Sequence, residues 1–297
     1  MPKLKTTAAE VDSHAPFLHH GDCLDGIKKA VAARGPFDLI YVDPPYNAGG
    51  TRSKRETQGE RITGTLAYKD AWGGLDGFLE MFRPRLEQMH AALSERGSLW
   101  IHLDYRTVHN VKVMADEVFG RTGFQGEIAW VPGNGGRKRS GLSVTHHTIL
   151  IYSKSRKWLY NIDDPSLREP FAETSLKMHF NQIDDEGRRF RERSINHRTY
   201  RYYADEGRRM GSVWTDCPAM RANTPLNKET TGYPTQKPEA LLERIVLAST
   251  VQGSAVLDPM CGSGTTLAVA QRLGRACAGV DESPVAIATT RARLGLK

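Results

Sequence analysis

No stretch of this 297-residue chain approaches the roughly 20 consecutive apolar residues that a membrane helix needs. The start, MPKLKTTAAEVDSHA, is basic but lacks the apolar segment of a secretory signal. Cysteine is scarce: Cys23, Cys217, Cys261 and Cys277 are scattered without a C-x-x-C pair, which suits reduced thiols in a cytosol rather than a disulfide frame or a zinc site, and no metal is expected. Internal repeats and low-complexity tracts are lacking too. The glycines never complete a G-x-G-x-x-G, which counts against a dinucleotide. What remains is the composition of a soluble globular protein, 39% hydrophobic with a mean hydropathy of −0.49. Its length allows one large α/β domain, or such a domain with a smaller insert.

Charge is present and unevenly placed. The net charge is +7, and residues 121–215 carry 17 Lys plus Arg against 11 Asp plus Glu, so nearly all the surplus lies in that third. A basic middle segment points to an anionic partner such as nucleic acid.

Pattern along the chain predicts strands over 16–22, 37–42, 98–104, 126–131, 147–154, 254–258 and 276–281. Helices are expected over 24–35, 75–95, 237–250 and 265–274. Leu75, Phe78, Leu79, Phe82, Leu86, Met89 and Leu93 give the clearest amphipathic spacing, with Pro84 expected to kink that helix and Gly97 to end it. Residues 47–74 read as a long, mobile loop, and 155–232 as a polar, arginine-rich insert without a persistent period. Alternating strands and helices make the fold class α/β, a doubly wound and mostly parallel sheet.

Two stretches carry the chemistry. LIYVDPPYNAGG (39–50) is a buried strand that breaks at once into Asp43-Pro44-Pro45-Tyr46. Two prolines fix φ and remove donors, so the corner cannot extend a sheet ladder. It presents a carboxylate, free carbonyls and one ring. Acceptors of that kind suit an amino group with two N–H donors, and the Tyr46 face suits a planar base. Pulling those N–H bonds out of plane would localise the nitrogen lone pair toward an electrophilic methyl group, and Asp43 would stabilise the cation that develops. A base inside a duplex must be flipped out to reach such a site.

The second stretch, VLDPMCGSGTTLAVAQRLG (256–274), is a strand, a tight turn at Gly262 and Gly264, and a helix. Asp281, seventeen residues beyond Gly264, ends the next strand near the offset at which an acid binds ribose hydroxyls. An ordinary βα turn is the competing reading of the glycines alone. If strands 37–42 and 254–258 are neighbours, corner and loop face one crevice.

Asp43-Pro44-Pro45-Tyr46 followed by Asp258-Pro259-Met260-Cys261-Gly262-Ser263-Gly264-Thr265-Thr266 resembles the S-adenosylmethionine-dependent DNA amino-methyltransferases, adenine-N6 or cytosine-N4. The order, with the catalytic tetrapeptide first and the cofactor loop last, is similar to that family's permuted β subgroup. YPTQKPEALLERIV (233–246), HHGDCLDGI (19–27), HHTILIYSKS (146–155) and GSVWTD (211–216) also look like segments of the subgroup. Met260 stands where the family usually has an aromatic.

The resemblance implies a seven-stranded, Rossmann-like, circularly permuted methyltransferase sheet. Its parts would be a catalytic half at 1–154, a target-recognition insert at 155–232, and a cofactor half at 233–297. It implies catalytic roles for Asp43, Pro44, Pro45 and Tyr46. Cofactor contacts would come from Asp22, Cys23, Asp43, Thr235 and Lys237, and from Asp258, Met260, Gly262, Gly264, Thr265, Thr266, Asp281 and Glu282.

Arg188, Arg189, Arg191 and Arg193, interleaved with aromatics, and Arg137, Lys138 and Arg139 on a Gly-rich loop, are the expected DNA contacts; a solvated charged face is the other reading of the former run. His146 and His147 are read as structural or DNA-proximal. Cys261 has no base or metal partner in view. Double-stranded DNA is the expected partner, with a cognate restriction endonuclease and a homodimer as further associations offered by the family. The expected setting is the cytoplasm of a bacterial or archaeal cell, at the nucleoid. An acid at the head of the tetrapeptide is commoner among adenine enzymes, which favours adenine over cytosine. A nucleotide-dependent oxidoreductase and a non-catalytic DNA-binding protein are the alternatives of other classes.

Overall fold

The structure, a computed structural model, describes residues 15–58, 61–133, 138–220 and 229–296. Strand β1 (Phe17–His20) leads into helix α1 (Cys23–Arg34), which Asp22 caps by accepting the Leu24 N–H at 2.8 Å. Strand β2 (Phe37–Val42) places Phe37, Ile40 and Val42 in one core and Leu39 and Tyr41 in another. A strand buried on both faces needs apolar residues throughout, which is why LIYV shows no polar alternation.

Residues 47–74, expected as a loop, are largely a hairpin. Strands β3 (Thr51–Gln58) and β4 (Arg61–Lys69) pair antiparallel, with Thr51 opposite Lys69. Among their described side chains only Ala67 is buried, against Tyr233 and Ala286. Main-chain pairing rather than side-chain burial holds this hairpin, so it carries no alternating apolar signature.

Helix α2 (Leu75–Ala92) buries Phe78, Phe82, Leu86 and Met89 and continues through Pro84. It ends at Ala92 rather than near Gly97, because the following residues already form β5 (Leu93–Leu103), where Leu93 pairs with Phe37. Helix α3 (Val108–Phe119), absent from the sequence-based expectations, buries Val108, Val111, Met114 and Ala115 at helical spacing. Strands β6 (Phe124–Trp130) and β7 (His147–Ser153) follow.

The insert contains β8 (Arg168–Glu169), α4 (Glu173–His179), β9 (Gln182–Ile183), β10 (Arg189–Ile195), β11 (Arg198–Tyr203) and β12 (Arg208–Arg209). Both ends of the 155–232 stretch lie on the main domain. Asn161 donates to the Leu247 and Thr250 carbonyls at 2.7 and 2.8 Å, while Trp158, Tyr160 and Leu167 pack on the second core. Val213–Trp214 forms β13, an edge strand of the main sheet. Helix α5 (Glu239–Ser249), β14 (Ala255–Asp258), α6 (Thr265–Arg272), β15 (Ala276–Asp281) and α7 (Pro284–Arg293) close the chain.

Eight strands pair in the order β1-β15-β14-β2-β5-β7-β6-β13. Only β7 runs against the others, antiparallel to both neighbours. Helices α1, α2 and α3 pack on one face, and α5 and α6 on the other. Among the described residues no helix is long and apolar enough to cross a membrane. Strand β14 lies beside β2, pairing Val256 with Leu39 and Leu257 with Ile40, so Asp43 and Asp258 follow neighbouring carboxyl ends. In doubly wound sheets that edge is where ligands bind.

Candidate active site

Beyond Val42 the two prolines turn the chain out of the sheet, and Asp43 is left half-buried at the mouth of a cleft. The Tyr46 hydroxyl donates to its Oδ1, and the Lys237 ammonium donates to its Oδ2. Lys237 is itself 8% exposed, donates also to the Thr235 carbonyl at 3.3 Å, and lies 5.5 Å from the centroid of the Tyr46 ring. The carboxylate is therefore fixed by two donors, and each oxygen retains a second lone pair for another.

The loop after β14 is built around two acids. Asp258 accepts the Met260 N–H at 3.2 Å and the Thr266 hydroxyl at 2.6 Å, which folds the loop back over its own strand. Asp281, at the end of β15, accepts the Gly262 and Ser283 N–H groups at 2.9 and 2.8 Å. Gly264 is left-handed (φ +73°), and a Cβ there would come within 2.7 Å of the Thr290 side chain, so the turn requires glycine. Burial pushes the Asp258 carboxyl up to about 7 and that of Asp281 up to about 6.

Corner and loop face a single cavity enclosing about 1000 Å³ of empty space, part of it open to solvent. Asp43, Pro44, Pro45 and Tyr46 form one wall. Asp258, Met260, Gly262, Thr265 and Thr266 form another, with Asp281 and Glu282 at its end and Cys23, Thr235 and Lys237 between. Two anticipated contacts are not brought into this lining. Asp22 spends its carboxylate capping α1 and accepting Arg85 at 2.8 Å, and Gly264 sits behind the turn as the cap of α6. The Cys23 thiol is pushed up to about 12 by burial, which leaves it inert.

Several lining residues escape the sequence patterns. Tyr68 and Trp72 reach in from the hairpin and the segment after it, Tyr41 from β2, and Arg85 and Met81 from α2. Tyr233 lies over the turn, its ring 3.3 Å from where a Gly262 Cβ would stand. It belongs to the YPTQKP segment, whose aromatic was a signal available in the sequence. Tyr68 is bonded to Thr235 across 3.2 Å, tying the hairpin to that segment. Among the described residues no group of three or more His, Cys, Asp or Glu could hold a metal ion.

The expected DNA contacts lie apart from the cleft and are unlike one another. Arg188 is paired with Asp205 and Glu206 at 2.9 and 3.1 Å and stacked 3.8 Å from the Tyr203 ring centroid. Arg189 donates to the Phe180 and Leu176 carbonyls, and Arg191 packs among Phe171, Phe180 and Tyr202. These three hold the insert together. Arg193 is exposed, opposite Tyr200 across the β10–β11 pair. Lys138 and Arg139 are exposed, and Arg137 lies outside the described residues.

A family model described as DNA methylase matches residues 37–291. The Type II methyltransferase M.EcaI of Enterobacter cloacae is 28% identical over 310 aligned residues, covering 87% of this chain and 64% of that protein, so the chain spans just under two thirds of that relative's length. The DNA adenine methyltransferase YhdJ of Escherichia coli K12 is 28% identical, covering 91% of this chain and 79% of the relative. Among solved structures, the M1.HpyAVI–SAM complex superposes with a TM-score of 0.58 at 20% identity, covering 95% of this chain and all of that one. The PvuII DNA methyltransferase, cytosine-N4-specific, gives a TM-score of 0.56 at 16% identity, covering 95% of this chain and 86% of its own. At these identities the two structures bear on the fold.

Proposed function

The chain belongs to the DNA methylase family, and on that premise we propose that it methylates the exocyclic N6 amino group of adenine at specific sites in duplex DNA, with S-adenosylmethionine as donor. The observation that carries the reading is the meeting of the Asp43–Tyr46 corner and the Gly262 loop in one cleft.

The cleft fits that donor. Asp281 has one lone pair on each oxygen left over from its two backbone contacts, matching a ribose diol. Tyr233 and Met260 offer apolar faces beside the turn. Acids at 43, 258, 281 and 282 outnumber the cations Lys237 and Arg85 along the lining, which favours a cationic ligand. S-adenosylmethionine, when bound, supplies an electrophilic methyl group on a sulfonium.

Asp43 does its work on the other substrate. It accepts an N–H of the target amine with a lone pair that Tyr46 and Lys237 leave free, and its negative charge stabilises the nitrogen as positive charge develops there. Tyr46 and Lys237 hold the carboxylate still, so no reorganisation is needed during the reaction. The Tyr46 face receives the flipped base, offsetting part of the cost of unstacking it.

The acid at the head of the tetrapeptide and the adenine specificity of YhdJ support adenine; the fold shared with the PvuII enzyme keeps cytosine-N4 as the second reading. Both amines present the same two donors to Asp43. DNA contact by the insert rests on one face of the β10–β11 hairpin, where Arg193 lies opposite Tyr200 and Arg198 opposite Ile195, all exposed. The Type II names of relatives support a cognate restriction endonuclease as partner, with a homodimer and a place at the cytoplasmic nucleoid as further parts of the proposal.

Mass spectrometry of nucleosides from host DNA, after expression of the chain and of Asp43→Ala, tests the reading. N6-methyladenine present only with the intact chain is expected. N4-methylcytosine instead would move the target to cytosine, and neither product, with DNA still bound, would leave a non-catalytic DNA-binding protein.

A further inference from the structure

Three strands place a connected set of rings beneath Tyr46. The Tyr41 hydroxyl on β2 bonds the Nδ1 of His102 on β5 at 2.8 Å, and the Nε2 of His102 bonds the Nδ1 of His147 on β7 at 3.1 Å. The Tyr46 ring meets His147 edge-on, with centroids 5.5 Å apart at 70°, and lies 6.4 Å from His102 at 31°. Trp130 on β6 stands edge-on to both imidazoles, at 5.2 and 5.5 Å. His102 is wholly buried, and neither histidine lines the cleft. A wholly buried imidazole joined to a half-buried one is costly to place in a sheet, and nothing in the cofactor site uses them.

We propose that His102 and His147 are positioning residues, a hydrogen-bonded pair that sets the plane of the Tyr46 ring and so the place where the flipped base stacks. The inference rests on the methyltransferase reading of the cleft. These two imidazoles pack on Tyr46 from the sheet side, and on the cleft side the ring meets the Lys237 ammonium. A ring that tips there would carry both its own face and its hold on Asp43 away from the reacting nitrogen.

The direction of the hydrogen bonds follows from proton counting. Burial lowers the Nδ1/Nε2 basicity of both residues, His102 well below the usual range and His147 down to about 4, so each carries one N–H near neutrality. His102 is the only hydrogen-bond partner of the Tyr41 hydroxyl among the described residues. Were the His102 proton on Nδ1, that hydroxyl would be a buried donor without an acceptor. The chain therefore runs one way. Tyr41 O–H donates to His102 Nδ1, His102 Nε2–H donates to His147 Nδ1, and the His147 proton resides on Nε2.

The test uses the full chain and a duplex bearing the sequence it methylates in the host. His147→Ala is expected to slow single-turnover transfer about tenfold at saturating DNA and donor, the scale of a misplaced reacting group. Donor affinity should stay at the wild-type value, and the thermal midpoint should fall by no more than a few degrees, the cost of the unpaired His102 Nε2–H. 2-Aminopurine in place of the target base should show weakened quenching by the ring. His147→Asn, whose amide oxygen can stand where Nδ1 accepts, should recover part of the rate.

An unchanged rate in His147→Ala overturns the proposal, as does a loss in both variants that merely follows a fall in thermal midpoint. Side-chain ¹⁵N spectra of the wild-type protein decide independently of activity: unprotonated Nδ1 on both residues is expected, a protonated Nδ1 on both overturns the hydrogen-bond direction, and a protonated Nδ1 on one residue alone overturns the pair. If the wild-type chain methylates no DNA, the methyltransferase reading fails, and the spectra alone decide the pair.

Discussion

Asp43 in the cleft and Arg188 in the insert are each a charge gripped by two partners and set beside a tyrosine ring. The partners of Asp43 come from 3 and 194 residues away, from two halves of the chain. Those of Arg188 are 17 and 18 residues away, within one small structural unit. The cleft spends long-range packing to hold an acid whose remaining lone pairs face a cavity. The insert, whose apolar centre is little more than Phe171, Phe180 and Phe190, spends its arginines as internal fasteners. On the proposed function, a charged residue near aromatics is thus a reagent in one region and a rivet in the other. What separates them is whether any hydrogen-bonding capacity is left over.

The largest effect should come from removing the reagent. Asp43→Asn keeps the shape and removes the charge; methyl transfer should fall by at least about a hundredfold, while the donor still binds with near wild-type affinity by calorimetry. Equal loss of donor affinity would mean that Asp43 belongs to the cofactor site and not to the amine.

Next in size is Asp281→Ala, which should weaken donor binding by about tenfold to a hundredfold, the worth of charge-assisted hydrogen bonds. Because burial raises the Asp281 carboxyl to about 6, it is ionised at pH 7 and gains a proton as pH falls through 6. Wild-type donor affinity should therefore be steady above pH 8, where Asp258, raised to about 7, is ionised as well, and decline below 6 by up to about tenfold per pH unit. A pH dependence that survives in Asp281→Ala would assign it to another group.

The smallest effects separate rivets from free charges. Replacing Arg193 and Arg198 together should flatten the logarithmic salt dependence of DNA binding by about two units. Arg188→Ala should leave that slope unchanged and instead loosen the insert, seen as faster amide exchange in β10 and β11. A reversed pattern would put the DNA on the other face of the hairpin.

These differences bear on what could be read before folding was known. Strands buried on both faces, such as 37–42 and 276–281, announce themselves because all but one position in each is apolar or glycine, and the Gly262 turn does so because only certain residues fit it. Pairing of β14 with β2 was legible once both motifs were required to face one ligand. The β3–β4 hairpin was not legible, since its stability lies in main-chain hydrogen bonds, nor were its gifts to the cleft, Tyr68 and the neighbouring Trp72. The insert arginines were the hardest. Their identity tells that charge is present, and only the positions of Asp205, Glu206, the Phe180 carbonyl and the rings around Arg191 tell that three of four are already spoken for. His147 was read as structural or DNA-proximal but without a partner, because His102 lies 45 residues upstream on a strand whose other buried residues are mostly apolar.

The position of β14 between β2 and β15 has a consequence for how the molecule comes into being. β1 is joined to the sheet through β15, and β2 has β14 on that side, so the first and second strands made have no link to each other until the last two arrive. During synthesis the Asp43–Tyr46 corner emerges more than two hundred residues before the loop that completes the cleft. A nascent or prematurely stopped chain that lacks residues 255–281 would hold an open edge at β2 and no donor site. On the proposed reading such a chain would neither hold its substrates together nor methylate DNA, and the strand order makes completion of the polypeptide a condition of its first turnover.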